Sequence, residues 1–387
     1  MTRAQFDALV AQVLDRHPKV ADIIITTGKP IQAEVDGELT DAGTTPDLGR
    51  LSALATKAMA LTLIGENARL QKALAAKGSC DLSYALPGLG RFRVNIFSQR
   101  GSLALVLRRL PGHIPTLEEL NLPEAFREMA TEQHGLILVT GGTGSGKSNS
   151  LAALIDRINE TRAGHIVTLE DPVEFTHAHK KGTVNQRELG IDFDTFASGL
   201  RAAFRQGPKV ILVGEIRDPE TMEIALQAAG TGHLVLSTLH TTDAGATINR
   251  ILGLFSPQEE RLVRMRLAEC LRFVVSQRLL PRTDGGRVAA FEVLKNTLRV
   301  KELILQGESP ERTIYGVLET SGTYGMRTFD QNFLALFEAG TITEETALLS
   351  ASDRTRLGQL IDHAKALRGE KGSSLVLEGL DEDTAGR

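Results

Sequence analysis

The sequence predicts an α/β protein in which a small N-terminal α+β domain precedes a larger domain built on a mostly parallel sheet and closed by helices. Three observations predict it. Short apolar runs at 136–139, 166–169, 210–213 and 234–239 alternate with helix-length segments, the pattern of parallel strands wound with helices. A glycine-rich run lies between the first of these strands and an apolar helical stretch, Leu151-Ala152-Ala153-Leu154-Ile155. The break Pro111-Gly112-His113-Ile114-Pro115 is the strongest in the first half, so domains are expected at 1–112 and 113–367, with a disordered acidic tail at 368–387.

Composition sets the bounds. At roughly 150 residues per domain, a chain of 387 residues corresponds to two or three domains and can bury a substantial core. With 42% hydrophobic and 24% charged residues, it is neither collagen-like nor wholly disordered. A net charge of −4 excludes a chain that coats nucleic acid, so no nucleic-acid partner is expected and any basic site is local. Cys80 and Cys270 are too few for a four-thiolate zinc site or a disulfide framework, which suits a reducing cytosol. The start, Met1-Thr2-Arg3-Ala4-Gln5-Phe6-Asp7, has no apolar signal core, and no apolar run approaches the roughly 18 residues of a membrane helix.

Taken in order, Phe6, Leu9, Val10, Val13 and Leu14 recur at helical spacing, and residues 21–35 read as strands broken at Gly28-Lys29-Pro30. A helical stretch covers 48–77. A hairpin follows, with Phe92, Val94 and Ile96 on one face and Arg91, Arg93 and Asn95 on the other. Its turn is Ser98-Gln99-Arg100-Gly101-Ser102, and Leu103, Leu105 and Leu107 return along the second strand. Beyond the wound strands, helical spacing is expected at 257–280 and again from Thr297 to about residue 367.

Gly141-Gly142-Thr143-Gly144-Ser145-Gly146-Lys147-Ser148 fits the pattern G-x-x-x-x-G-K-[ST] in its proper strand-to-helix context. Backbone N–H groups of such a loop wrap phosphate oxygens, the lysine reaches the β- and γ-phosphates and the Ser148 hydroxyl ligates Mg²⁺. The sequence therefore predicts a site for ATP with Mg²⁺, in which Gly142 to Ser148 and Asn149 bind the nucleotide.

Hydrolysis needs a group that orients the attacking water. The strand 210–213 runs into Gly214-Glu215, which makes Glu215 the candidate general base, with Arg217 just beyond as a further catalytic candidate and Asp218 next to it. A second acidic cluster, Glu170-Asp171-Pro172-Val173-Glu174, ends the strand 166–169 at another carboxyl edge, where ligands gather. His233 and His240 bracket the strand 234–239. His240, with Thr238, Thr241 and Thr242 around it, is the better placed to contact a γ-phosphate, whereas His233 suits a loop or an interface.

These residues resemble the secretion ATPase superfamily, and within it the type IV pilus retraction ATPases of the PilT and PilU group. Gly141 to Ser148 matches the phosphate loop, and Thr168-Leu169-Glu170-Asp171-Pro172-Val173-Glu174-Phe175 is similar to the Asp box. Leu212-Val213-Gly214-Glu215-Ile216-Arg217-Asp218 resembles the atypical second Walker motif, and Thr231-Gly232-His233 through His240-Thr241 the His box. The resemblance implies that Glu215 is the catalytic base, Glu174 acts on Mg²⁺ or its water beside Glu170 and Asp171, and His240 faces the γ-phosphate. It also implies a PAS-like N-terminal domain and a RecA-like P-loop ATPase domain with a helical C-terminal portion. The assembly implied is a homohexamer at the cytoplasmic face of the inner membrane, partnered by an integral pilus platform protein and by a paralogous retraction ATPase. Between Leu82 and Leu117 there are arginines at 91, 93, 100, 108 and 109 and no acid, so Arg91, Arg93, Arg100 and Arg108 are candidate arginine fingers.

Departures bear on subtype. Arg205-Gln206-Gly207-Pro208-Lys209 stands where the family usually has Arg-Gln-Asp-Pro-Asp, which removes two acids expected close to the site. Asn149 stands where Thr is common. The segment Gly325-Met326-Arg327-Thr328-Phe329-Asp330-Gln331 looks closer to PilU. Two alternatives stay open: an accessory subunit that binds nucleotide without turning it over, and a pilus assembly or type II secretion ATPase lacking the four-cysteine zinc insertion.

Overall fold

The computed structural model describes residues 1–368; apart from Arg368, the tail expected from the sequence lies outside the described residues. Two compact units emerge: Met1–Pro115 with Asn159–Ala202, and Thr116–Ile158 with the chain from Ala203 onward.

In the first unit, Thr2 and Gln5 close a capping box on helix Arg3–Arg16, which buries the five apolar residues whose spacing announced it. Phe6 meets the edge of Tyr84 at 5.6 Å, and Tyr84 stacks on Phe92 at 5.7 Å. The sheet beneath is antiparallel, in the order Glu38–Asp41, Gln32–Val35, Asp22–Ile25, Ser102–Arg109, Gly90–Gln99, Ser79–Leu86. Phe92, Val94, Ile96, Leu105 and Leu107 are fully buried, as their alternation predicts. The expected five-residue turn narrows to Arg100-Gly101, because Gln99 already pairs with Ser102. The helical stretch expected at 48–77 is two helices, Ala53–Ile64 and Ala68–Lys77, divided where the Asn67 side chain caps the second.

Segment Asn159–Ala202 belongs to this unit for a visible reason. Its strands His165–Glu170 and Thr183–Glu188 pair in parallel. Glu188, at the end of that pair, accepts a 2.7 Å hydrogen bond from Ser83 and lies 3.5 Å from the Arg91 guanidinium. The division expected from the sequence is contiguous and does not contain this exchange.

In the second unit, five strands lie in the order Arg287–Lys295, Leu271–Pro281, Gly135–Thr140, Leu234–Leu239, Val210–Val213. All neighbours are parallel except the first pair. Gly135–Thr140, Val210–Val213 and Leu234–Leu239 are buried at every position, which is why each reads as an unbroken apolar run. The expected helix at 257–280 is corrected: helix Pro257–Cys270 passes at once into strand Leu271–Pro281. Phe273, Val274 and Val275 have the aromatic and β-branched side chains that fit a pleated, buried surface. The C-terminal helices close over a core of Leu280, Ala290, Phe329, Phe333, Leu357 and Ile361. Cys80 and Cys270 are both buried and unpaired. Among the described residues, no helix is long and apolar enough to cross a membrane.

Glu292, 2% exposed, sits on the antiparallel strand of this unit. Burial pushes its carboxyl up to about 7, and Asp243 adds to the rise against the Ala244 and Phe329 N–H groups and Arg278. The folded chain thus holds this proton more tightly than the unfolded chain, so the stability contributed is full below the ordinary value of 4.5 and is lost as pH rises towards 7. In thermal melts, the stability of Glu292→Gln relative to the unsubstituted protein should rise by up to about 3 kcal/mol between about pH 5 and pH 8. A difference independent of pH would refute this.

Candidate active site

The phosphate loop follows strand Gly135–Thr140 and opens helix Lys147–Thr161. Lys147 is buried, with Nζ donating to the carbonyls of Gly141 at 2.8 Å and Gly142 at 2.9 Å. Gly142, Thr143, Gly144, Ser148 and Asn149 are exposed, while Ser145 is buried and Gly146 half-buried. Two glycines are sterically required. At Gly141 (φ 144°), a Cβ would stand 2.3 Å from the Gln277 carbonyl oxygen; at Gly146 (φ 90°), it would stand 2.8 Å from Gln277 Nε2. Gln277 also accepts from Ser150 Oγ at 2.8 Å, and Ser276 Oγ lies 2.9 Å from Thr140 Oγ1. Strand Leu271–Pro281 therefore underpins the loop. The sequence reading missed Ser276 and Gln277; their signal was a polar Ser-Gln-Arg triplet interrupting an apolar run.

Glu215 emerges just beyond strand Val210–Val213. Thr238 Oγ1 and Ser237 Oγ donate to the carbonyls of Gly214 and Val213, each at 2.7 Å, and so set the turn that presents it. Its Oε2 accepts from Arg217 Nη2 at 2.7 Å, and its Oε1 lies 3.4 Å from His240 Nε2. Burial raises the carboxyl pKa, but the Arg217 hydrogen bond and the charges of Arg217, His240 and Lys147 outweigh it and hold the group below the usual range. Glu215 is therefore ionised at neutral pH, in the electrostatic field of the loop lysine. Asp218 is a structural residue: it caps helix Pro219–Gly230 through Thr221, at 2.8 Å to both N–H and hydroxyl. His233 lies at the other end of strand Leu234–Leu239, with its ring nitrogen 3.2 Å from the Ala228 carbonyl.

The Asp box belongs to the first unit. Burial pushes Glu170 up, even though its Oε1 accepts from Thr168 at 2.5 Å and Gln186 at 3.0 Å. Asp171 is exposed and Glu174 half-buried. Among the described residues, no three His, Cys, Asp or Glu side chains form a metal-binding group.

The arginines of the hairpin separate by their partners. Arg108 is bidentate to Asp22, at 3.0 and 2.9 Å, and Arg91 donates to Thr176 at 3.2 Å as well as meeting Glu188. Arg93 is exposed and lies 3.9 Å from Asp81. Arg100 is exposed at the hairpin tip, with φ 45° and no partner among the described residues.

Gly207 and Lys209 require a correction. They precede strand Val210–Val213 at its N-terminal end, whereas Glu215 follows the C-terminal end. At about 3.3 Å per residue, the four-residue strand sets some 13 Å between the two ends. Gly207 ends a 3₁₀ turn in the left-handed conformation at φ 63°, which glycine adopts without a Cβ penalty.

The Type II/IV secretion system protein family matches residues 89–321. The type IV pilus ATPase PilU of Pseudomonas aeruginosa is 40% identical over 99% of both chains. The type IV pilus retraction ATPase PilT of the same organism is 40% identical, over 84% of this chain and 93% of its own. Among solved structures, the pilus retraction motor PilT with bound ADP superposes with a TM-score of 0.81 at 41% identity, covering 91% of this chain and 98% of its own. These matches bear out the expected fold, a RecA-like ATPase domain with an α+β domain before it. The chain belongs to the Type II/IV secretion system protein family, in the branch that holds the type IV pilus ATPases PilT and PilU.

Proposed function

We propose that this protein is the ATP-hydrolysing motor of type IV pilus retraction, working as a homohexamer at the cytoplasmic face of the inner membrane against an integral pilus platform protein. The observation that carries the chemistry is Glu215, hydrogen-bonded to Arg217, 3.4 Å from His240 and held ionised beyond a strand separated by one neighbour from the strand that feeds the phosphate loop. The kinship with PilU along the full length of both chains supports the biological reading, and favours a PilU-like motor working beside a PilT-like paralogue. The placement of Gly207 and Lys209 at the far end of their strand removes the reason to read the chain as non-catalytic.

The donor set fits Mg²⁺, which keeps several waters and takes one or two protein ligands together with substrate phosphates. The exposed Ser148 hydroxyl, next to Lys147 in the loop, is the group that would hold it. Bound Mg²⁺ supplies charge neutralisation on the phosphates. Glu215 orients the attacking water and His240 faces the γ-phosphate end of the site. The parts assigned to Glu174, Glu170 and Asp171 rest on the family resemblance and call for a separate Glu174→Gln measurement.

Deletion from the source organism should leave cells with excess unretracted pili, counted by microscopy. Bald cells would overturn this reading in favour of pilus assembly.

Within the ring, Arg100 is the candidate finger in trans, since Arg91 and Arg108 are already engaged. Arg100→Ala should form stable hexamers by light scattering, yet turn over ATP at least about tenfold more slowly. Mixed with Lys147→Ala subunits, it should regain activity, because an intact loop then meets an intact arginine. Phosphate release across the mixing ratio checks this, and normal turnover by Arg100→Ala hexamers would show the hairpin tip to be only a solvated turn.

A further inference from the structure

Strand Leu271–Pro281 carries three polar residues in a row. Ser276 and Gln277 hold the two flanks of the phosphate loop, as described above. Arg278 serves other elements. Its Nη1 donates to the Ser350 carbonyl at 2.8 Å, its Nη2 lies 3.4 Å from the Thr242 carbonyl, and its guanidinium stands 4.1 Å over the Phe329 ring. Thr242 is two residues beyond His240. Phe329 opens helix Phe329–Glu338, and Ser350 ends helix Glu344–Ser350.

The antiparallel neighbour makes a matching bridge. Glu292 accepts from Ala244 N at 2.9 Å, at the start of the helix that follows the His240 segment, and the Phe329 backbone is among the groups that hold its pKa down. Two side chains on paired strands thus tie the same two elements together. Asp330 extends the link, since its carboxylate accepts from Ser352 N at 2.7 Å and Asp353 N at 2.8 Å, at the turn into helix Arg354–Leu367.

We propose that Arg278 is a positioning residue for ATP hydrolysis: through the Thr242 carbonyl it sets His240 against Glu215, and through Ser350 and Phe329 it couples that setting to the C-terminal helices. The inference rests on the ATPase reading of the site. A guanidinium is the group for this task, because its planar fork donates in two directions while its face covers an aromatic ring. A lysine ammonium is a point charge that cannot hold all three contacts in one geometry. A shift of the C-terminal helices therefore moves the His240 segment, while the phosphate loop keeps its own supports in Ser276 and Gln277.

The test compares the full-length protein with Arg278→Gln and Arg278→Lys. In Arg278→Gln, kcat should fall at least about tenfold with KM for ATP within about twofold, because nucleotide binding is untouched and only the alignment of the hydrolytic groups is lost. The acid limb of the kcat profile should move to higher pH, since His240 then contributes less to holding the Glu215 carboxyl down. Arg278→Lys should recover part of kcat, and it carries the same readouts if the glutamine variant does not fold. Hydrogen exchange should accelerate at residues 241–246 and 329–330, with 141–148 unchanged. A folded variant with unsubstituted kcat and pH profile overturns the proposal. So does a parallel loss of kcat and ATP affinity with an unmoved acid limb and uniformly faster exchange, the signature of general loosening. If the unsubstituted protein itself fails to hydrolyse ATP, the ATPase reading falls, and the exchange pattern alone decides whether Arg278 positions the His240 segment.

Discussion

Lys147→Ala is expected to abolish ATP turnover, a loss of at least about 10³-fold. The ammonium is buried and held at the carbonyls of Gly141 and Gly142, at 2.8 and 2.9 Å, so it is already placed at the mouth of the loop. Charge-assisted hydrogen bonds to phosphate are about twice as strong as neutral ones. Without the lysine, the loop offers only backbone N–H dipoles to the β- and γ-phosphates. The loss extends to Glu215, because the Lys147 charge is one of those that keep its carboxyl ionised. Steady-state phosphate release measures the outcome, and near-normal turnover would sink the assignment of the loop.

Glu215→Gln should retain ATP binding and lower hydrolysis by about 10²-fold or more, the scale expected when a general base is removed. The substitution keeps the size of the side chain and an oxygen for Arg217, but removes the charge that orients and activates water. The pH dependence follows in sign. A carboxyl held below its usual range stays ionised as pH falls towards ordinary carboxylate values, so the acid limb that Glu215 sets should lie below about pH 4.5. Fluorescent-nucleotide titration and single-turnover hydrolysis separate binding from chemistry. Should glutamine at 215 cost little, another group orients the water, and Glu174 is the next residue to replace.

Local patterns made much of this legible. Residues 141–148 announced the loop because each glycine, the lysine and the serine act within a few positions of one another, in a strand-to-helix context that is itself local. Glu215 was legible because an apolar run ends at it, and a carboxyl edge is where ligands collect. The hairpin faces were legible from alternation alone, and Phe92, Val94 and Ile96 are indeed fully buried. The acid-free stretch around the arginines was also visible, but its meaning was not. Asp22, 86 positions from Arg108, takes that arginine up, and nothing between the two residues forecasts the pairing.

By itself, then, the sequence determined the wound α/β class, the phosphate loop, the strand ends that carry Glu215 and His240, and the kinship that these boxes spell. Only the tertiary structure decided which strand supports the loop, which arginines remain available and where the departures from the family pattern fall. Residues 257–280 read as continuous helix, yet the second half is the strand that places Gln277 beneath the loop and Arg278 beside Thr242. The physical reason is range. Periodicity and capping act over one or two turns, whereas Ser150 and Gln277 are 127 positions apart, and their contact exists only once two strands have paired through a buried sheet. The same range explains Gly207 and Lys209: eight positions or fewer separate them from Glu215 in sequence, but a strand between them carries the two groups to opposite ends of the sheet.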